Sequence, residues 1–147
     1  MLSGIFAFIG RVMLAAIFII SGAMKLGDID GTGAYMASVG LPATLALPAA
    51  LFELVGGIMI ALGIFTRITA LLFAGFCVIT ALMFHSETAV PAEAANALKN
   101  IAIAGGFLCL FAYDQKSWSF DSYRERRRRE AAARVAQTSD HPGTGAG

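Results

Sequence analysis

Apolar residues are grouped along the chain in four blocks, each close to the length of a membrane-spanning helix. The blocks cover about residues 5–26, 43–64, 68–84 and 98–113. About 20 residues at a rise of about 1.5 Å cross the hydrocarbon core of a bilayer. The fourth block is short and begins with Lys99 and Asn100, which we place near the interface. The pattern predicts an all-α fold, a bundle of four transmembrane helices.

The polar segments between the blocks differ in character. Residues 27–42 contain Asp28 and Asp30, and their middle predicts a short interfacial helix that ends before Gly40. Residues 86–97 predict a second polar loop. The composition agrees with a membrane protein, because 57% of the residues are apolar and 14% are charged.

The chain changes character after Asp121. Residues 124–134, RERRRREAAAR, are strongly basic, and the last ten residues, TSDHPGTGAG, have the composition of a disordered segment. We therefore predict a membrane domain over 1–121 and a disordered basic tail over 122–147. We expect the arginines to be solvated and attracted to membrane lipid. We do not expect nucleic acid binding, since no folded recognition element accompanies them.

The basic residues indicate the topology. Four spans place the short connection with Arg67 on the same side as the arginine tail, and the two acidic segments on the other side. The positive-inside rule then predicts a multi-pass protein of the bacterial plasma (inner) membrane with both termini in the cytoplasm. Arg67 is expected to be a topology anchor.

A single carboxylate, Glu53, lies well inside the second block. An ionisable side chain in hydrocarbon must be protonated, paired or hydrated. Gly56 and Gly57 follow one helical turn later, so another helix can approach this face closely. The rest of the chain is expected to supply the partners of Glu53.

Two cations in the first block are candidate partners, because Arg11 and Lys25 lie on one helical stripe with Gly22. A long side chain makes a pair between Arg11 and Glu53 feasible. That pair has two interpretations, a structural tie between helices and part of a functional polar pocket, and the sequence leaves both open. The first block could also be a signal peptide cleaved near Ser21, but cleavage would remove these cations.

Further polar residues are expected at the outer end of the bundle. His85 beside Lys25 and Lys99 would form a polar mouth, although His85 could equally be an interfacial residue at a helix end. Asn100 completes this polar set. We also assign five glycines to helix packing, namely Gly22, Gly56, Gly57, Gly105 and Gly106.

The cysteines and histidines do not predict a redox or metal centre within the chain. Helical rise places Cys77 and Cys109 at depths that differ by about 10 Å, too far for a disulfide, and both are expected to be buried small residues. His85 and His141 are predicted on opposite sides of the membrane, so they cannot ligate one haem. Without a CxxC motif we expect no metal site and no covalently bound cofactor, and any electron carrier must come from elsewhere.

Several segments in order resemble the DoxX family of small four-helix membrane proteins. They are GRVMLAAIFIISGAMKL at 10–26, LFELVGGIMIALGIFTR at 51–67, the Phe84-His85 pair, ALKNIAIAGG at 97–106 and WSFD at 118–121. The resemblance covers about residues 5–121. The arginine tail lies outside it.

The resemblance implies a role connected with oxidoreductases. The family takes its name from a membrane subunit associated with quinone-linked oxidation, and its members are commonly labelled oxidoreductase subunits, although most have no assigned reaction. The family pattern falls on Arg11, Gly22, Lys25, Glu53, Gly56, Gly57, Thr66, Arg67, His85 and Asn100. The absence of a cysteine pair favours a subunit over a self-contained enzyme.

The leading hypothesis is a membrane subunit that anchors a soluble redox protein and offers a quinone head group the side chains of His85, Lys25 and Glu53. One alternative is a small proton- or ion-coupled transporter, in which Glu53 binds the proton or cation and a homo-oligomer supplies the necessary volume. Another is a structural membrane protein. Composition and spacing exclude neither alternative.

Overall fold

A computed structural model describes residues 2–84, 91–112 and 119–139, and the regular elements in these ranges are helices. They are α1 (Leu2–Gly27), α2 (Ile29–Ser38), a 3₁₀ turn (Ala43–Leu45), α3 (Ala46–Leu62), α4 (Thr66–Phe84), α5 (Pro91–Ala112) and α6 (Phe120–Ser139). Within the described ranges, α1, α3 with its preceding turn, α4 and α5 are long and apolar enough to cross a membrane. The predicted four-span fold is confirmed, and the predicted interfacial helix is α2.

The fourth span differs most from its predicted bounds. It begins at Pro91, whereas the sequence predicted a loop through residue 97 and a helix from Leu98. Proline fits the first helical position, because its missing N–H would have no intrahelical partner there. Alanine-rich residues then continue the helix, so the moderate hydropathy of this stretch does not mark its end. The rest of the predicted loop, 86–90, and Tyr113 lie outside the described residues.

Helices α1 and α3 run antiparallel and in close contact. A methyl group added at Gly22 would lie 2.6 Å from the backbone nitrogen of Leu54, and one at Gly57 would lie 3.0 Å from that of Ile19. Both distances are too short for a side chain. Small residues therefore bring the two backbones together, as is typical of helix pairs in membranes.

The second close pair is α4 with α5, and a layer of phenylalanine rings fills the space between the two pairs. The ring centres of Phe18 and Phe73 lie 4.2 Å apart, and those of Phe73 and Phe107 lie 5.1 Å apart. Phe73 also covers Gly56, where a methyl group would lie 2.7 Å from its Cζ. The rings thus hold the pairs at a wider spacing than the glycines hold α1 and α3.

The two ends of the bundle are built differently. At one end, which we call the α2 end, α2 follows α1 and packs against the start of α3. At the other, the Arg67 end, the turn between α3 and α4 contacts the start of α6. Arg11 lies against this same turn, at Gly63. The first turns of α1 and the start of α6 are therefore at one end of the bundle.

The basic tail contains a helix where the sequence predicted disorder. Residues Phe120–Ser139 form α6, and residues 140–147 lie outside the described part of the chain. Alanine, arginine and glutamate are strong helix formers. An exposed ion pair between Arg129 and Glu125, one turn apart, adds a small contribution. After its first turn α6 has no buried side chain through residue 136, so only its beginning is packed on the bundle.

Candidate functional site

Lys25 and Glu53 form an ion pair between α1 and α3. Lys25 Nζ donates to Glu53 Oε1, and it also donates to Ser21 Oγ at 3.1 Å. The side chain of Glu53 is 3% exposed, whereas that of Lys25 is 29% exposed. The ammonium group can therefore be reached from the surface of the bundle, while the carboxylate lies inside it.

The second carboxylate oxygen of Glu53 is buried and unbonded. Among the described residues, none donates a hydrogen bond to Glu53 Oε2. A buried acceptor without a donor costs about 1–3 kcal/mol, and more when it is charged. The ion pair thus presents an ammonium group with one N–H still available and an adjacent open acceptor.

The packing of the glycines explains why Lys25 meets Glu53. Gly22 lies against Ala50 and Leu54, and the next turn of α1 carries Lys25. The long lysine side chain reaches Glu53 from the last turn of α1, where the helix dipole also favours a positive charge. Glu53 itself lies near the middle of α3.

The expected pair between Arg11 and Glu53 does not form. Arg11 lies 14 residues before Lys25 on α1, which is about 21 Å along the helix axis. Its Nη1 atom lies 2.9 Å from the position that a Cβ of Gly63 would occupy, at the far end of α3. The sequence placed both cations on the correct stripe, but the antiparallel register selects Lys25.

An apolar aromatic wall lies one turn away from the ion pair. Gly56 follows Glu53 on the same face of α3 and is covered by Phe73. Phe18 lies on the same stripe of α1 as Lys25 and packs against Phe73. The charged groups therefore border a dry, ring-lined interior. Cys77 of α4 is also buried and lies within electrostatic range of Glu53.

Helix α2 lies across the bundle end next to the ion pair. Asp28 begins the helix, because its Oδ1 accepts from Gly31 N at 2.9 Å. Gly33 packs against Ala43 ahead of α3, and the ring of Tyr35 stacks on that of Phe84 at 5.3 Å. The helix thus connects α1, the start of α3 and the end of α4.

Within the described residues, Lys99 and Asn100 make no hydrogen bond or ion pair with Lys25. Lys99 is exposed, and its Nζ donates to Asn96 Oδ1 on its own helix at 3.1 Å. Asn100 is half-buried. His85 lies outside the described residues, so its predicted place beside Lys25 stays a prediction.

The remaining predicted positions have different surroundings. Arg67 Nε donates to Phe111 O at 3.2 Å, and its guanidinium lies over the Phe111 ring, so it ties α4 to α5. Gly106 lies against Leu14, but Gly105 is exposed with nothing within 4 Å of its Cβ position. Of the five glycines assigned to helix packing, Gly105 therefore has no packing role within one chain.

The two cysteines are both free, and they differ in burial. Cys77 is buried in α4, whereas Cys109 is exposed on α5. The prediction that both are buried is wrong for Cys109, because it lies on the outer side of α5. The structure does not bring the two thiols together.

The Arg67 end contains a polar cluster that was not predicted from the sequence. Asp121 Oδ2 accepts from Thr66 N at 3.1 Å and so caps the start of α4, while Asp121 N donates to Gly63 O at 3.2 Å. Ser119, just before α6, and Ser122 in its first turn are buried, and Ser122 Oγ donates to Ser119 O at 2.7 Å. The signal was present, since Asp121 ends the WSFD motif and both Gly63 and Thr66 belong to the GIFTR motif.

Comparison with known proteins agrees with the four-span bundle. The DoxX family model matches residues 6–86. The chain belongs to the DoxX family. It is 36% identical to the inner membrane protein YqjF of Escherichia coli (strain K12) over 113 residues, which cover 77% of this chain and 87% of that protein. It is 40% identical to the inner membrane protein YphA of the same strain over 109 residues, which cover 69% and 78%.

A third relative carries a functional name. The chain is 39% identical to a Bacillus subtilis (strain 168) protein named "Putative oxidoreductase CatD" over 64 residues, which cover 44% of this chain and 48% of that protein. No solved structure matches the chain. With its four apolar spans and its inner-membrane relatives, this member of the family is a multi-pass inner-membrane protein.

Proposed function

We propose that this chain is the membrane subunit of a quinone-linked oxidoreductase, and that Lys25 and Glu53 are the polar groups of its quinone site. The observation that carries the proposal is the buried carboxylate oxygen, Glu53 Oε2, that no described residue satisfies. In hydrocarbon such an atom is expensive to maintain, and it is typical of a site that a ligand completes.

The donor and acceptor set matches the chemistry of a quinone head group, which carries electrons and protons together. Lys25 donates two hydrogen bonds within the chain, so its third N–H can donate to a carbonyl oxygen. Glu53 Oε2 can accept a hydrogen bond or a proton from a hydroxyl group. The partial exposure of Lys25 provides access from the bilayer, where quinones are dissolved.

The electron carrier is proposed to belong to a partner protein. Cys77 is buried and Cys109 is exposed on another helix, so a dithiol reaction within one chain lacks its second thiol. The name of the Bacillus relative supports a link with oxidoreductases. We therefore favour a subunit that anchors a soluble redox protein at the membrane over an autonomous enzyme.

We propose that both termini of this subunit are cytoplasmic. Arg67 and the arginines of α6 are at the same end of the bundle, and Asp28 and Asp30 are at the α2 end, so the positive-inside rule favours the Arg67 end inside. Reporter fusions after residue 139 test this orientation, because a cytoplasmic tail gives an active fluorescent protein and an inactive periplasmic phosphatase. The reverse pattern would contradict it.

The experiment that tests the function compares two variants, each expressed in a host strain from which the natural gene has been deleted, and uses the membranes of that strain. Lys25→Met/Glu53→Gln removes both charges together, so no unpaired charge remains in the bundle. We expect this variant to be inserted normally but to lose quinone-linked oxidation. Lys99→Met is the matched control, because it removes an exposed lysine of another span whose Nζ donates to Asn96 of its own helix, and it should keep the activity.

The double variant also separates the proposal from its two alternatives. If the ion pair only ties two helices together, removing both charges should leave quinone-linked oxidation intact. If the open oxygen instead serves ion transport, proteoliposomes should show a proton or cation flux that Glu53→Gln abolishes. Either result would replace the quinone proposal.

A further inference from the structure

The arginines of α6 are not distributed evenly around the helix. At about 100° per residue, one half of the circumference contains no acidic residue. As far as residue 131, this half, which we call the arginine face, comprises Phe120, Tyr123, Arg124, Arg127, Arg128 and Ala131. All three acidic residues of α6, Asp121, Glu125 and Glu130, lie on the opposite half. The helix is polar all round, but its charges are segregated.

The first turn of α6 fixes the direction in which the arginine face points. Asp121 is bonded to Gly63 and Thr66, and Ser122 is buried, so the opposite half of the helix faces the bundle. Phe120 and Tyr123 are 50% and 51% exposed. The arginine face is therefore turned outward from the bundle.

The depth of this first turn places the outward face next to the lipid. Gly63 follows the last residue of α3 and Thr66 is the first residue of α4, so their level is where two spans end. Hydrocarbon gives way to head groups at that level, and aromatic side chains such as Phe120 and Tyr123 favour this zone.

The arginine face begins at the depth of the head groups with Arg124, and Arg127 lies just beyond this layer. Arg124 and Arg127 lie four and seven residues after Phe120, which is about 6 to 11 Å along the helix. The head-group layer on each side of a bilayer is about 5–8 Å thick. The guanidinium of Arg127 packs over the Tyr123 ring at 5.6 Å, so the aromatic and basic parts of the face are continuous.

We propose that the arginine face lies against the membrane surface and binds the anionic phospholipid head groups that surround the bundle. Guanidinium groups form paired hydrogen bonds with phosphate oxygens, which suits them to this ligand. The absence of acidic side chains from the face removes the repulsion that an anionic surface would otherwise meet. The proposal is independent of the quinone function, because it uses no residue of the Lys25 and Glu53 site.

The test places a fluorophore on each side of α6 in the full-length protein. Ala131→Cys lies on the arginine face and Ala133→Cys on the opposite half, and Cys109→Ser removes the exposed native thiol. The labelled proteins are placed in nanodiscs of phosphatidylcholine alone or with about one third of phosphatidylglycerol. We expect a blue-shifted emission at position 131 only in the anionic nanodiscs, and it should be reversed by high salt.

Two pairs of substitutions with the same loss of charge make the test specific for the face. Arg124→Gln/Arg127→Gln should lower the fraction of the label at position 131 that is bound to lipid, by a factor on the order of ten or more. Each arginine raises the affinity for an anionic surface severalfold. Arg126→Gln/Arg129→Gln changes only the opposite half and should retain the shift.

Three outcomes would overturn the proposal. One is the same emission wavelength at position 131 in neutral and anionic nanodiscs. Another is an equal loss of the blue shift with both pairs of arginine substitutions. The third is a shift that requires a soluble extract of the host in place of anionic lipid, which would identify an acidic protein as the partner.

Discussion

The bundle holds one carboxylate toward each end, Asp121 and Glu53, and the two carboxylates have different surroundings. At the Arg67 end, the carboxylate of Asp121 accepts from Thr66, its N–H donates to Gly63, and the first turn of α6 is closed by serine hydrogen bonds. At the α2 end, Glu53 uses one oxygen and leaves the other open.

The difference indicates two purposes for buried polarity in one small protein. Asp121 lies where spans end, and its bonds fasten a turn and a helix start, which is what a structural cluster requires. Glu53 lies near the middle of α3, where a buried acceptor without a donor is costly. The contrast supports our proposal that Glu53 contributes to a ligand site, whereas Asp121 has an architectural role.

The largest expected effect comes from breaking the ion pair on one side only. Lys25→Met leaves the buried Glu53 carboxylate without its cation, so we expect a loss of about 3 kcal/mol in the free energy of unfolding. Unfolding in mixed micelles with increasing denaturing detergent measures it. Lys25→Met/Glu53→Gln should recover most of the loss. A single variant as stable as the natural protein would show that the ion pair does not stabilise the bundle.

A smaller effect is expected from separating the two helices that hold the pair. Gly22→Ala places a methyl group 2.6 Å from Leu54 N, so α1 and α3 must move apart at a cost of about 1–3 kcal/mol. Gly75→Ala is the matched control, since Gly75 has open space and alanine favours the helix there. In thermal unfolding, Gly22→Ala should lower the transition temperature, and Gly75→Ala should raise it slightly. Equal effects would show that the close helix contact is absent.

The third effect sharpens the contrast between the ends. Asp121→Ala removes the side-chain acceptor for Thr66 N, and the loss of such a helix cap costs about 1 kcal/mol. Hydrogen exchange should increase at the start of α4 and in the first turn of α6, while quinone-linked oxidation should remain. An Asp121→Ala protein with intact stability but no oxidation would reverse the assignment of the two ends.

The smallest effect is expected outside both clusters. Glu125→Gln removes the partner of Arg129 on the exposed part of α6, and surface ion pairs contribute about 0–1 kcal/mol. We expect thermal unfolding of the bundle to be unchanged within error. A clear decrease would mean that α6 is packed on the bundle beyond its first turn.

The sequence predicted the spans and the importance of Glu53 because both follow from hydropathy. Four apolar blocks are visible in the amino-acid sequence. A lone carboxylate, Glu53, one turn before Gly56 and Gly57 predicts a buried polar contact. The identity of the cation was not predictable in the same way. Arg11 and Lys25 share a stripe, and only the register of α1 against α3 decides which of them meets Glu53.

Two other features escaped prediction for physical reasons. The start of α5 at Pro91 is hidden by a moderately polar stretch whose alanines are good helix formers. The role of Asp121 depends on a contact across 55 residues of sequence, which no local pattern encodes. Gly105 shows the opposite error, since it was assigned to helix packing but has nothing within 4 Å of its Cβ position among the described residues.

The most direct test of the open oxygen is photolabelling by a light-activated quinone analogue on the purified chain in nanodiscs. Mass spectrometry of the natural protein and the Lys99→Met control should locate the label on α1 or α3 within a turn of Lys25 or Glu53, with competition by unlabelled quinone. We expect the Lys25→Met/Glu53→Gln protein to fold normally and to lose this label. A double variant labelled as strongly as the natural protein, at the same positions, would contradict it.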